Sequence, residues 1–191
     1  MIEPMVLLER CRKGDDLAWE ALVRQFQSRI YAMAYHYLRN GEEAQDLAQE
    51  AFIRIYKGLH TFKGNEGFVA WMLACARNCC IDRIRRLKAR PATSDVIKGE
   101  APDNPDRGPN PEESLHSNSR KNLVHQALGH LNQQNREIIV LKEIQGLKIQ
   151  QIAAILGIPA GTVKSRSNRA RLELAKAVAS LDPSYALEPT G

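Results

Sequence analysis

The sequence predicts an all-α fold: two small helical domains joined by a flexible linker, the C-terminal one a helix-turn-helix. Three observations carry this. Apolar residues recur at spacings of three and four along most of the chain, the period of a helix with one buried face. Aromatics make up only 6% of the 191 residues, and Val and Thr do not gather in alternating runs, which argues against strands. From Pro91 to about Ser119 the apolar period stops, and five of the nine prolines fall there.

The first helical stretch reads as residues 5–38, with Asp15 or Asp16 able to cap a run in which Trp19, Leu22, Val23, Phe26 and Ile30 recur on one face. Asn40-Gly41 ends it and opens a second helix, striped by Ala44, Leu47, Ala48, Ala51 and Ile55. Asp46, Gln49 and Glu50 lie off that stripe at i, i+3 and i+4, an outward acidic face suited to a basic partner or simply to water. A polar loop from Thr61 to Gly67 leads to a third helix, from about Phe68 to Lys88, that begins apolar and ends basic. Arg77, Arg83, Arg85, Arg86, Lys88 and Arg90 accompany one acid, Asp82. With Phe68 and Trp71 one or two turns upstream and Phe62 and Asn65 in the loop before them, such a basic helix can hold a single strand and accept unstacked bases. Phe68 reads as core, while Trp71 fits either core or a stacking platform.

Residues 91–119 carry six acids and two bases. A stretch so poor in apolar residues cannot bury a core and reads as a tether. With the chain at +5 and this stretch at −4, the two helical units together carry +9, which suits a polyanion. The expected domains are 1–90, a linker 91–119, 120–181 and a tail 182–191.

After the tether, Leu123, Ala127, Leu128 and Leu131 mark one helix, and Ile138, Ile139, Leu141 and Ile144 the next, broken at Gly146. Ile149 to Leu156 and Thr162 to about Leu181 then form the helix-turn-helix, at Lys148 to about Leu174. Small Ala153 lets the second helix approach, and Gly157 can take the left-handed turn conformation. Ile152, Leu156, Ile158 and Val163 supply the shared core. Val163, Ala170, Leu174 and Ala177 make the buried stripe of the second helix. Thr162, Lys164, Ser165, Arg166, Asn168, Arg169 and Arg171 cover its other faces, as a helix in the major groove requires. Thr162 to Arg166 are placed to read base edges, while Arg169 and Arg171 suit bases or backbone. A plain helical hairpin with solvated charges is the bland competitor.

No Ser/His/Asp set, phosphate-binding glycine loop or paired metal carboxylates is present, so no catalytic residue, cofactor or metal is expected and the chain does not read as an enzyme. Cys75 and Cys79 share a helix face, but with Cys80 they lack zinc-site spacing and read as buried structural thiols. No apolar run of about 18 residues and no signal pattern occurs, so the chain reads as cytoplasmic without membrane insertion.

The run Asp46-Leu47-Ala48-Gln49-Glu50-Ala51-Phe52-Ile53-Arg54 resembles the polymerase-binding segment of bacterial sigma factors. Phe68-Val69-Ala70-Trp71-Met72 through Ala76-Arg77-Asn78, then Ile81-Asp82-Arg83-Ile84-Arg85-Arg86, is similar to their promoter-melting segment. Arg136-Glu137-Ile138-Ile139-Val140-Leu141-Lys142 and Gly161-Thr162-Val163-Lys164-Ser165-Arg166 are similar to the segment that reads the minus-35 element. The order and short length are those of the extracytoplasmic-function subgroup, and the likeness covers nearly all of the chain except the linker and the last ten residues.

The resemblance implies partners: core RNA polymerase (its β′ clamp helices and β flap), promoter DNA and, as for many members, an anti-sigma factor. By position, it puts Asp46, Gln49 and Glu50 on the clamp helices. It puts Phe62, Lys63 and Asn65 of the loop, with Trp71 and Asn78, around a flipped minus-ten base, and Arg77, Arg83, Arg85 and Arg86 on the backbone beside it. It puts Lys164, Ser165, Arg166 and Arg169 on the minus-35 element. Asn168 departs from the family, where a large aromatic or basic side chain is common. The tether is compatible: the 25 residue steps from Arg90 to Leu115 reach roughly 80 Å extended, against roughly 55–60 Å for about 17 base pairs of promoter spacing. A two-domain helix-turn-helix regulator that binds duplex DNA without polymerase is the alternative.

Overall fold

The computed structural model describes residues 2–64, 67–89 and 111–185. Asn65, Arg90, the tether from 91 to 110 and the tail from 186 to 191 lie outside the described residues. Among the described residues every regular element is helical, and they fall into two compact units divided between residues 101 and 102.

The first unit holds α1 (Pro4–Arg12), α2 (Asp16–Leu38), α3 (Gly41–Gly58) and α4 (Phe68–Ala89). The stretch read as one helix over 5–38 is two. Gly14 takes φ +81, a conformation that ends α1 without a Cβ penalty. Asp15 then restarts the chain, its carboxylate accepting the Ala18 N–H at 3.1 Å. Arg39, left-handed at φ 58, closes α2, and the Asn40 side chain accepts the Glu43 N–H at 3.0 Å to open α3. The core is built from Leu7 and Leu8 of α1, Leu22, Phe26, Ile30 and Met33 of α2, Leu47 and Ile55 of α3, and Phe68, Met72 and Leu73 of α4, all nearly inaccessible. Each such side chain contributes roughly 1.5–3 kcal/mol by burial. The stripe read on α3 is buried as expected, and Phe52 joins it.

The second unit holds α5 (Pro111–His130), α6 (Gln133–Ile139), α7 (Ile149–Leu156) and α8 (Ala160–Leu181). Residues 111–119, expected in the linker, are helical and begin α5. A proline followed by two glutamates suits a first helical turn, and the low apolar content hid this. Asn132 caps α6 through the Asn135 N–H at 2.9 Å. After α6 the chain widens into one π turn, Val140–Ile144, and Gly146 (φ +66) redirects it. Leu128, Leu131, Ile139 and Ala170 cluster between α5, α6 and α8, with Leu174 beside them.

Candidate polymerase and nucleic-acid interfaces

Burying Ala44, Leu47, Ala48 and Ala51 turns the opposite face of α3 to solvent. Asp46 and Gln49 are exposed there. Glu50 is only partly free: its carboxylate accepts from Arg54 at 2.7 Å, and Arg54 also donates to Asp82 of α4 at 2.9 Å. Hydrogen bonding from Arg54 lowers the Asp82 pKa from the ordinary carboxylate value. One guanidinium thus ties the acidic face of α3 to the basic helix. Ile53, 55% exposed on that same face, was not singled out from the sequence. Its position three residues after Glu50 is the signal that could have found it.

The start of the loop before α4 is organised by aromatic packing. Phe62 lies 5.3 Å from Phe68 and 5.6 Å from Trp71, and the Phe68 and Trp71 rings stack at 5.7 Å. Phe62 is 8% exposed, so the ring expected to meet a base faces inward, because Phe68 and Trp71 offer it an apolar seat. Trp71 is half-buried, and a Cβ at Gly58 would lie 3.3 Å from its ring. One side of Trp71 is therefore committed to packing. Lys63 is exposed, and Asn65 lies outside the described residues. Along α4, Arg77 is half-buried and Asn78 exposed. Arg83 reaches Glu43 at 3.5 Å, while Arg85 and Arg86 are exposed and Arg85 stands 4.0 Å from Asp82. No sequence pattern points to Arg12, whose guanidinium reaches the carbonyls of Leu59 and Phe62 from α1.

In the second unit Gly157 turns the chain at φ +66, and its N–H bonds back to the Ala153 carbonyl. The Gln151 side chain accepts the Lys148 N–H at 2.9 Å, closing the start of α7. Val163, Ser167 and Ala170 form the buried stripe of α8, with Leu174 and Ala177 half-buried. Ser167, missed in the sequence, is fully buried and accepts from the Lys142 ammonium at 3.0 Å. The sequence does show Ser167 four residues after Val163 and three before Ala170, in step with the stripe. Lys164, Ser165, Asn168 and Arg169 are exposed, and Thr162 and Arg166 half-exposed. The Ser165 hydroxyl bonds back to the Thr162 carbonyl at 3.1 Å. Arg171 is exposed but donates to Glu143 at 2.7 Å. Lys142, Lys148 and Lys164 border an open pocket of about 540 Å³ at the start of α8. The outer surface of this motif is strongly cationic.

Burial raises the Cys79 thiol pKa and pushes Cys75 up to about 11, and Cys79 and Cys80 are almost inaccessible. Cys79 and Cys80 are packed thiols, as expected, while Cys75 is only half-buried. Among the described residues no group of three His, Cys, Asp or Glu could hold a metal, and no helix is long and apolar enough to cross a membrane.

Comparison with known proteins agrees with this division. Residues 22–90 match Sigma-70 region 2 and residues 121–174 match Sigma-70, region 4. The RNA polymerase sigma-H factor of Pseudomonas aeruginosa is 33% identical over 177 residues, covering 90% of this chain and 92% of that protein. The ECF RNA polymerase sigma-E factor of Escherichia coli strain K12 is 35% identical over 171 residues, covering 87% and 89%. The fold is shared with CnrH, solved with the cytosolic domain of CnrY (TM-score 0.66, 23% identity, 93% of this chain and 97% of that one). It is shared too with the sigma factor RpoE of Bartonella quintana, solved with the anti-sigma factor NepR (TM-score 0.65, 21% identity, 85% and 97%). With two family regions in order and relatives above 30% identity along nearly their whole length, the chain belongs to the extracytoplasmic-function sigma factors, which direct promoter-specific initiation by RNA polymerase.

Proposed function

We propose that the chain docks on core polymerase through Asp46, Gln49 and Glu50 and grips promoter DNA at two points. Lys164, Ser165, Arg166 and Arg169 read the minus-35 element, and Arg77, Asn78, Arg83, Arg85 and Arg86 hold the minus-ten strand beside the loop of Lys63 and Asn65. The observation that carries this is the division of labour on α8. Its stripe of Val163, Ser167 and Ala170 is buried, while Lys164, Ser165, Asn168 and Arg169 remain exposed. Phe62 takes a packing role in this reading, and Arg171 contacts DNA only by leaving Glu143. The working domains are 1–90 and a second unit beginning with α5 at Pro111, with the covalent tether from Ala89 to Pro111 and a tail from 182.

All of this is binding work, with no chemical step assigned to any residue, and it takes place in the cytoplasm with the polymerase. Because the B. quintana relative was solved with an anti-sigma factor, a protein of that class is the proposed negative regulator. The reading is tested by transcription with purified core polymerase. Lys164→Ala and Arg166→Ala should lower output only from promoters with the matching minus-35 element, each lost base contact being worth about 1–3 kcal/mol. An equal loss on every sequence would reduce these residues to phosphate contacts. Asp46→Ala with Glu50→Ala should weaken core binding in a pull-down, and unchanged binding would remove the clamp assignment. Tight binding of duplex operator without polymerase in a gel shift would favour the free-standing regulator instead.

A further inference from the structure

We infer that Arg12 is a positioning residue for minus-ten recognition, fixing from α1 the start of the loop that receives the base. The inference rests on the proposed base-receiving role of that loop. Arg12 Nε and Nη2 donate to the Leu59 carbonyl at 3.1 and 3.0 Å, and Nη2 also donates to the Phe62 carbonyl. Nη1 is held by Glu9 at 3.1 Å. The two acceptors flank the short 3₁₀ turn Leu59–Thr61 that follows α3. Carbonyls at a helix end lack donors from their own helix, and a planar guanidinium can bridge two of them where an ammonium acts as a single point.

The base from which Arg12 reaches is firm, since Leu7 and Leu8 of α1 are fully buried and Cys11 nearly so. Phe62 is consequently fixed twice, by its carbonyl on Arg12 and by its ring on Phe68 and Trp71. The next residue is the exposed Lys63. At the far side of the loop Gly67 takes φ +85, and its carbonyl accepts the Trp71 N–H at 2.9 Å. Phe62 before the loop and Gly67 after it are thus each anchored, the first by α1 and the second by α4. A base-selecting loop needs its supporting bonds to hold it to within about half an ångström. Arg12 supplies those bonds without lying among the residues proposed to touch DNA.

The test is full-length protein with core polymerase, transcribing a promoter and the three variants that differ at the minus-ten base the loop selects. Arg12→Gln should reduce the preference for the favoured base by roughly tenfold, the effect of one hydrogen bond from a charged donor. Core binding and minus-35 dependence should be unchanged, and a template already melted at the minus-ten element should restore output. Arg12→Lys should fall between, keeping the charge but not the bridge. A uniform loss on all four promoters with base preference intact would overturn the inference and leave Arg12 a helix cap. Should Arg12→Gln lose core binding through misfolding, Arg12→Lys carries the same comparison. Asn65→Ala separates the two levels. If Asn65→Ala flattens base preference and the Arg12 variants do not, Arg12 alone is misassigned. If Asn65→Ala and both Arg12 variants leave preference intact, the loop does not read a base and the inference falls with it.

Discussion

Arg136→Met should selectively destabilise the second unit. From α6, Arg136 Nε donates to the Leu128 carbonyl at 2.7 Å, and Nη2 donates to those of Gly129 and Leu131 at 3.0 and 2.8 Å. These acceptors sit at or just past the end of α5 (Pro111–His130), where carbonyls run short of backbone donors, although the Leu128 carbonyl also accepts the Leu131 N–H at 3.3 Å. Leu128 and Leu131 also belong to the unit's central cluster, so the bonds hold the α5–α6 corner against the core. A hydrogen bond to a charged group contributes roughly 1.5–3 kcal/mol. The three share one cation and are only part-buried, so they do not add, and water replaces some of them. A loss of about 2–4 kcal/mol follows. A domain of roughly 70 residues has a total stability of about 4–10 kcal/mol, so the change removes a large fraction. Guanidinium unfolding followed by circular dichroism should show the transition of the second unit moving to lower denaturant while that of the first stays in place. A shift under about 0.5 kcal/mol, the size of an ordinary surface change, would refute the reasoning.

Three further outcomes are expected. Gly157→Ala should cost about 1 kcal/mol in the same unfolding assay, because φ is +66 there although nothing lies within 4 Å of a new Cβ. Cys75, with its pKa raised by burial to about 11 from 9.0, should resist alkylation at pH 8 in the folded chain. Its raised pKa means the folded state keeps a proton that the unfolded state releases, so its contribution to stability is full below pH 9 and lost as pH rises to about 11. A pH-independent melting temperature over that window would count against this burial. Arg54→Met should lower stability by no more than about 1 kcal/mol, since the site is over a third exposed. Measured by NMR titration, the Asp82 pKa should rise toward its ordinary value, and no rise would mean that Arg54 does not hold that carboxylate.

Much of the architecture was legible because it is local. The α3 stripe from Ala44 to Ile55, the Asn40-Gly41 junction and Gly157 all act within a few residues, and their roles follow from helical period and turn chemistry. The boundary at Gly14 was legible in principle, since Asp15 was already a candidate cap, but a continuous apolar period across it masked the break. Arg12 with Phe62, Lys142 with Ser167 and Arg54 with Asp82 join residues 50, 25 and 28 positions apart. No pattern in one sequence reveals such pairs. The inward turn of Phe62 is of the same kind, because the seat offered by Phe68 and Trp71 exists only after folding. The clamp-facing role proposed for Asp46, Gln49 and Glu50 comes from resemblance, since exposure of an acidic face does not by itself name its partner.

The placement of Ser167 and Lys142 has an evolutionary consequence. What holds α8 in place is concentrated at Val163, Ser167 and Ala170 and in the ammonium that reaches Ser167 from the π turn. Positions 164, 165, 168 and 169, which face solvent, bear none of that structural duty. If the proposed reading holds, a lineage can rewrite those four letters and so acquire a new set of target genes, while the frame that presents them stays intact.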